Sequence, residues 1–97
     1  MIAIVKSPRY ERDIEVIWGH IARHNADAAD RTVKAIEGRI ELLCQFPELV
    51  TPCYHLASRL RRMQWREYLI YYRPSKERVE IVRALHGRRN IASSLFE

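Results

Sequence analysis

Apolar positions along the chain recur first at helical and then at strand spacing, and the change of period falls near the middle. A short apolar run, Ile2 to Val5, suits a buried first strand. Ser7-Pro8 then opens a helix: the serine hydroxyl can cap orphan backbone N–H groups, and proline fits the first helical position. Glu11 and Asp13 follow early enough to favour the positive end of the helix dipole. Tyr10, Ile14, Ile17 and Ile21 form one apolar stripe, which Trp18 widens. Asn25 marks a break. A second helix is predicted from about Ala26 to Phe46, with Ala29, Val33, Ile36, Ile40 and Leu43 as its stripe and Pro47 as its terminator.

Beyond the helices the period shortens. Glu48 to Ser58, with Pro52, reads as an irregular loop, and Arg59 to Trp65 as a second strand. YLIYYR (Tyr68 to Arg73) and VEIVRALH (Val79 to His86) are rich in β-branched and aromatic residues, and Pro74-Ser75-Lys76-Glu77 separates them, a β-hairpin pattern. Alternation places Tyr68, Ile70 and Tyr72 toward the helices. Leu69, Tyr71 and Arg73 fall on the other face, expected to be open because Arg73 is costly to bury unpaired. Arg83 shares the parity of Val79 and Ile81, which predicts a bulge or a partly open face. The expected fold is α+β in the order β-α-α-β-β-β: an N-terminal strand, then an antiparallel helical hairpin packed on one face of a small twisted antiparallel sheet. Residues 1–97 read as a single domain, without repeat or linker.

Composition adds an asymmetry. Residues 1–49 carry 7 Lys and Arg against 8 Asp and Glu, whereas residues 50–97 carry 10 against 4. The neutral half is scaffold, and the basic half points to nucleic acid or an acidic protein segment, with a solvated basic face as the plainer reading. No apolar run approaches the ~20 residues of a membrane span, and the N-terminus has no export signal, so a cytoplasmic protein without membrane contact is expected. Cys44 and Cys53 then read as thiols rather than a bridge.

Candidate chemistry is sparse. His20 and His24 stand four apart on the first helix, but no third ligand is evident, so no metal is expected. Gly19, Gly38 and Gly87 lie too far apart for a phosphate loop, and no cofactor is implied. Cys53 and His55 lack an orienting group for nucleophilic catalysis. The polar set that remains is Tyr71, Arg73, Arg83, His86, Arg88 and Arg89. Cations there can hold a phosphate or carboxylate, while RNA cleavage would ask His86 to act as both acid and base. Arg61, Arg62 and Arg66 around Trp65 suit stacking on bases or, by default, a core tryptophan with wet arginines.

The chain as a whole resembles the ParE-like branch of the ParE/RelE toxins, components of plasmid-stabilisation and toxin–antitoxin systems. The resemblance is carried in order by SPRYERDIEVIWGHIARHN (Ser7 to Asn25), AADRTVKAIEGRIELLCQFPEL (Ala28 to Leu49), LRRM (Leu60 to Met63), EYLIYYR (Glu67 to Arg73) and VEIVRALHGRRN (Val79 to Asn90). It implies the same fold and a growth-arresting toxin neutralised by an antitoxin whose C-terminal segment wraps it, which allows a toxin–antitoxin hetero-oligomer. ParE-like members act on DNA gyrase, stabilising its cleaved-DNA complex; RelE-like members cut messenger RNA on the ribosome. Leu69 stands where the cutting branch keeps a catalytic arginine, Leu95 falls near its tyrosine, Arg61 or Arg62 near its lysines, and Arg89 matches its second arginine. A gyrase inhibitor without catalytic residues is therefore expected. The alternatives are a ribosome-dependent endoribonuclease using His86 and Arg89, and a non-toxic remnant that only binds antitoxin. The residues expected to bind antitoxin or target are Arg61, Arg62, Leu69, Tyr71, Arg73, Arg83, His86, Arg88 and Arg89. Pro47-Glu48-Leu49-Val50 departs from the family's PELG turn, and Asn90 replaces a frequent aspartate.

Overall fold

The computed structural model describes residues 3–46 and 51–97. Strand β1 (Ala3–Lys6) leads into helix α1 (Pro8–Ala22), and α2 (Ala26–Leu43) follows after a tight connection. The remaining strands are β2 (Thr51–Pro52), β3 (Arg61–Trp65), β4 (Tyr68–Pro74) and β5 (Arg78–His86), before a final 3-10 turn (Ser93–Phe96). The expected helix starts are both present. The Ser7 hydroxyl accepts from the Tyr10 N–H with Pro8 behind it, and the Asn25 side chain accepts from the Ala28 N–H. Helix α2 ends at Leu43, three residues before the predicted Phe46, in a turn whose Cys44 N–H still reaches the Ile40 carbonyl. The expectations for Ile2 and for Pro47 to Val50 fall outside the described residues.

The strands form one sheet in the order β1-β5-β4-β3-β2. Pairing is antiparallel except at β1, which lies parallel to β5 with Ala3 opposite Arg78. Both helices pack on one face. Tyr10, Ile17, Ile36, Ile40 and Leu43 meet Tyr68, Ile70, Tyr72, Val79, Ile81 and Ala84 in the main core, as the two stripes and the alternation of β4 require. Ile36 is fully buried, and at roughly 1.5–3 kcal/mol per fully buried aliphatic side chain this layer is the main source of stability.

Four expectations are corrected. Strand β1 is exposed along its described length because it is an edge strand with β5 as its one neighbour in the sheet. Trp18 does not widen the core stripe; it is 42% exposed and its indole N–H donates to Asp30 of α2 at 2.8 Å. The segment read as irregular contains β2, whose two residues pair with Arg61 and Arg62. The largest correction concerns the sheet's second face, which is closed. Leu69 and Tyr71 pack there with Cys53, Leu60, Val82, Leu85 and Phe96, under the C-terminal 3-10 turn and the loop before β3. Phe96 lies 4.7 Å from the Tyr71 ring, so the chain covers with its own end the face assigned to a partner. Both cysteines are free, and burial followed by Glu41 pushes the Cys44 thiol up.

Of the two expectations raised by Arg83, a bulge or a partly open face, the bulge is present. Tyr71 opposes Arg83 and Tyr72 opposes Ile81, leaving Val82 as the extra residue. Ala84 therefore takes the inward position after Ile81, and Arg83 turns to the strand's outer edge. Beyond β1, that edge of β5 is satisfied by the start of α1. Ser7 N–H donates to the Ile81 carbonyl and Ser7 Oγ to the Val82 carbonyl (2.7 Å), while an Asp13 oxygen accepts the Ala84 N–H (3.0 Å).

Candidate functional site

The exit of β5 is built by a close turn. Gly87 N–H donates to the Glu67 carbonyl at 2.7 Å, and a side chain at Gly87 would bring its Cβ to 3.3 Å from that oxygen. Glycine is favoured here by close approach of two backbones, since a side chain would make the Glu67 carbonyl give way by a few tenths of an ångström. Its consequence is that His86, Arg88 and Arg89 leave the sheet together, all three exposed. The His86 ring meets Tyr68 edge-on, with centroids 5.7 Å apart. Its Nδ1 accepts the Arg88 N–H (3.1 Å), so the neutral ring carries its proton on Nε2.

Arg83 is differently placed. Its Nε and Nη2 form a fork on the Asp13 carboxylate at 2.7 and 2.8 Å, and its Nη1 donates to the Leu95 carbonyl at 2.9 Å. Both partners keep 11% of their side-chain surface exposed. The Asp13 bonds hold the guanidinium more firmly charged than usual, against the opposing effect of burial. Arg83 is a structural rivet between β5, α1 and the C-terminal turn.

The expected site residues therefore separate. Arg73 donates to the Ser58 carbonyl and pairs with Glu80 (3.3 Å) at the opposite end of β4, five residues and ~17 Å from Tyr68. Arg61 donates to the Tyr54 hydroxyl at 3.0 Å with its guanidinium over that ring, and Arg62 sits opposite Tyr71 on β3. The buried Tyr71 hydroxyl lacks a well-aligned hydrogen bond; burial pushes its pKa up and the neighbouring Arg62 pulls it back. Leu69 and Tyr71 are inside. Of the nine residues singled out, only His86, Arg88 and Arg89 form an open cluster.

Two adjoining clefts complete that cluster with residues from α1. One, about 260 Å3, is lined by Val16, Ile17, His20, Tyr68 and His86. The other, about 360 Å3, is lined by Arg9, Arg12, Asp13, Val16, Arg83 and Arg89. Val16 belongs to both and is 70% exposed. Arg9, Arg12, Asp13, Val16 and His20 follow helical spacing beside the core stripe, a pattern present in the sequence, where only Asp13 (for the helix dipole) and His20 (as half of a histidine pair) carry a reading. Among the described residues there is no cluster of three metal-ligating side chains and no helix long and apolar enough to cross a membrane.

A helical hairpin laid on one face of a five-stranded sheet, with a cationic exit from its longest strand, defines a small α+β domain. A chain of the solved structure "Chromosomal ParDE TA system from P. aeruginosa" shares the fold, with a TM-score of 0.76 over 89% of this chain and 96% of that one at 15% identity. Residues 4–91 match the family model described as ParE toxin of type II toxin–antitoxin system, parDE. The chain belongs to that family, within the ParE/RelE superfamily. It is the toxin component of a type II system, which implies a cognate antitoxin. A comparison with curated protein sequences gave no match.

Proposed function

We propose that this toxin arrests growth by inhibiting DNA gyrase and is released from that task when its antitoxin binds. One observation carries the reading. Leu69 and Leu95, which align with polar catalytic positions of the RNA-cutting branch, pack in the apolar cluster beneath the C-terminal turn. His86 pairs with Tyr68 on the helix side of the sheet, so it does not join them. Proton transfer to and from a scissile phosphate needs an acid and a base converging on one site, and Leu69 and Leu95 supply neither. Binding needs only exposed cations and complementary shape, which Arg88, Arg89 and the clefts along α1 supply.

Purified toxin incubated with gyrase and supercoiled plasmid should accumulate cleaved DNA, and His86→Ala should retain that effect. A second reading, ribosome-dependent RNA cleavage through His86 and Arg89, draws support from His20, which lines the same cleft as His86. Its signature is transcript cleavage on translating ribosomes that is lost in His86→Ala. Transcript cleavage together with failure to trap gyrase on DNA would replace the gyrase reading with this one.

A further inference from the structure

The cleft at the head of α1 carries an imbalance of charge that the fold does not require. Arg9, Arg12, Arg83 and Arg89 line it with one carboxylate, Asp13. That carboxylate is already engaged by three donors, two from Arg83 and one from the Ala84 backbone. Arg9 spends one donor on the Leu95 carbonyl at 3.1 Å, and Arg12 and Arg89 have no carboxylate partner among the described residues. Glu11 projects from the opposite side of the helix, and Glu15, three residues after Arg12 and about 60° from it, forms no ion pair with it among the described residues. Arg9 also stands in the first turn of α1, where a cation is disfavoured by the helix dipole. Arg9 gains the Leu95 carbonyl in return, whereas Arg12 gains no hydrogen bond or ion pair among the described residues, which leaves its guanidinium available to a ligand.

The adjoining cleft tells which anion fits. It has an aliphatic wall in Val16 and Ile17, with His20 and the exposed ring of His86 at its rim. From the two clefts together we infer that this toxin binds a single strand of nucleic acid directly, seating a backbone phosphodiester among Arg9, Arg12 and Arg89 and the attached sugar and base against Val16 and His86. Arginine forks match phosphate oxygens, and imidazole faces stack on unpaired bases. A lone carboxylate of a protein partner would be over-neutralised by three guanidinia, whereas a strand brings successive charges past them. The inference goes beyond the gyrase reading, since a protein can inhibit gyrase without touching nucleic acid.

The test needs no gyrase. Fluorescence anisotropy of a labelled single-stranded DNA of about 20 nucleotides is measured with the full chain across a salt series. The double variant R12E/R89E should weaken binding at least 10-fold near 0.1 M salt and reduce the slope of log affinity against log salt by about two. R59E/R78E makes the same change in net charge at the far end of the β4–β5 hairpin and should weaken binding less than threefold. Unchanged circular dichroism in both variants confirms folding. Equal losses in the two variants, no DNA binding by the parent protein, or displacement of DNA by polyglutamate at equal charge concentration would each overturn the assignment.

Discussion

Asp13 accepts two hydrogen bonds from Arg83 and one from the Ala84 backbone, while Arg83 also holds the Leu95 carbonyl. Removing the carboxylate leaves a mostly buried guanidinium and a backbone N–H without their acceptor. Asp13→Ala should cost about 3 kcal/mol in urea unfolding, and pairing Asp13→Leu with Arg83→Met should recover at least half of that loss. Tyr10 presents the opposite case. Its ring is 1% exposed and its hydroxyl has no partner, so Tyr10→Phe should be neutral or stabilise by up to about 1 kcal/mol near pH 7. Burial, with lesser contributions from Glu37, Glu11 and Asp13, pushes the Tyr10 pKa well above its ordinary value of 10.0. The unfolded chain therefore releases this proton first as pH rises, and stability should fall above about pH 10. Unfolding midpoints measured from pH 8 to 11 should show a shallower fall in Tyr10→Phe, with burial of Tyr68 and Tyr71 supplying the remainder.

At the scale of elements, the C-terminal turn is the part whose role changes most between sequence and structure. Ile91, Leu95 and Phe96 have no helical or strand period, so nothing in their spacing announces that they close a face of the sheet. The helices were legible because Ser7-Pro8, Asn25 and two 3.6-residue stripes each have a local physical meaning. The β4–β5 hairpin was legible for the same reason, and the parity of Arg83 marked an irregularity that a bulge or a partly open face could satisfy. Thr51–Pro52 and the parallel pairing of β1 were not, since a two-residue strand and the choice of neighbour are settled by distant partners. At the site, His86, Arg88 and Arg89 stood out beside a glycine, whereas Arg9, Arg12 and His20 gained meaning only once α1 lay against the end of β5. Phe96→Ala should cost about 3 kcal/mol and raise binding of an apolar dye, because Tyr71 and Leu85 lose their cover. An unchanged unfolding midpoint would show that the turn is not docked.

For the whole molecule, the division of charge has a structural counterpart. Part of the basic excess of residues 50–97, Arg88 and Arg89, reaches the surface at the exit of β5, where it joins Arg9 and Arg12 from the otherwise neutral first half. Membership in the ParE family supplies an antitoxin, and exposed arginines are where an acidic partner gains both speed and specificity of association. Charge reversal at Arg88 and Arg89 should therefore slow antitoxin association in a salt-dependent way, measured by surface-immobilised kinetics. The same change at Arg61 and Arg62, across the sheet, should have a smaller effect. The most direct measurement for the central claim is trapping of gyrase on DNA. Purified gyrase and plasmid are mixed with the toxin, then quenched with detergent and protease. Linear DNA should accumulate in proportion to the toxin and disappear when the antitoxin is added first. Undiminished supercoiling without linear DNA, from toxin that still arrests growth, would contradict the account.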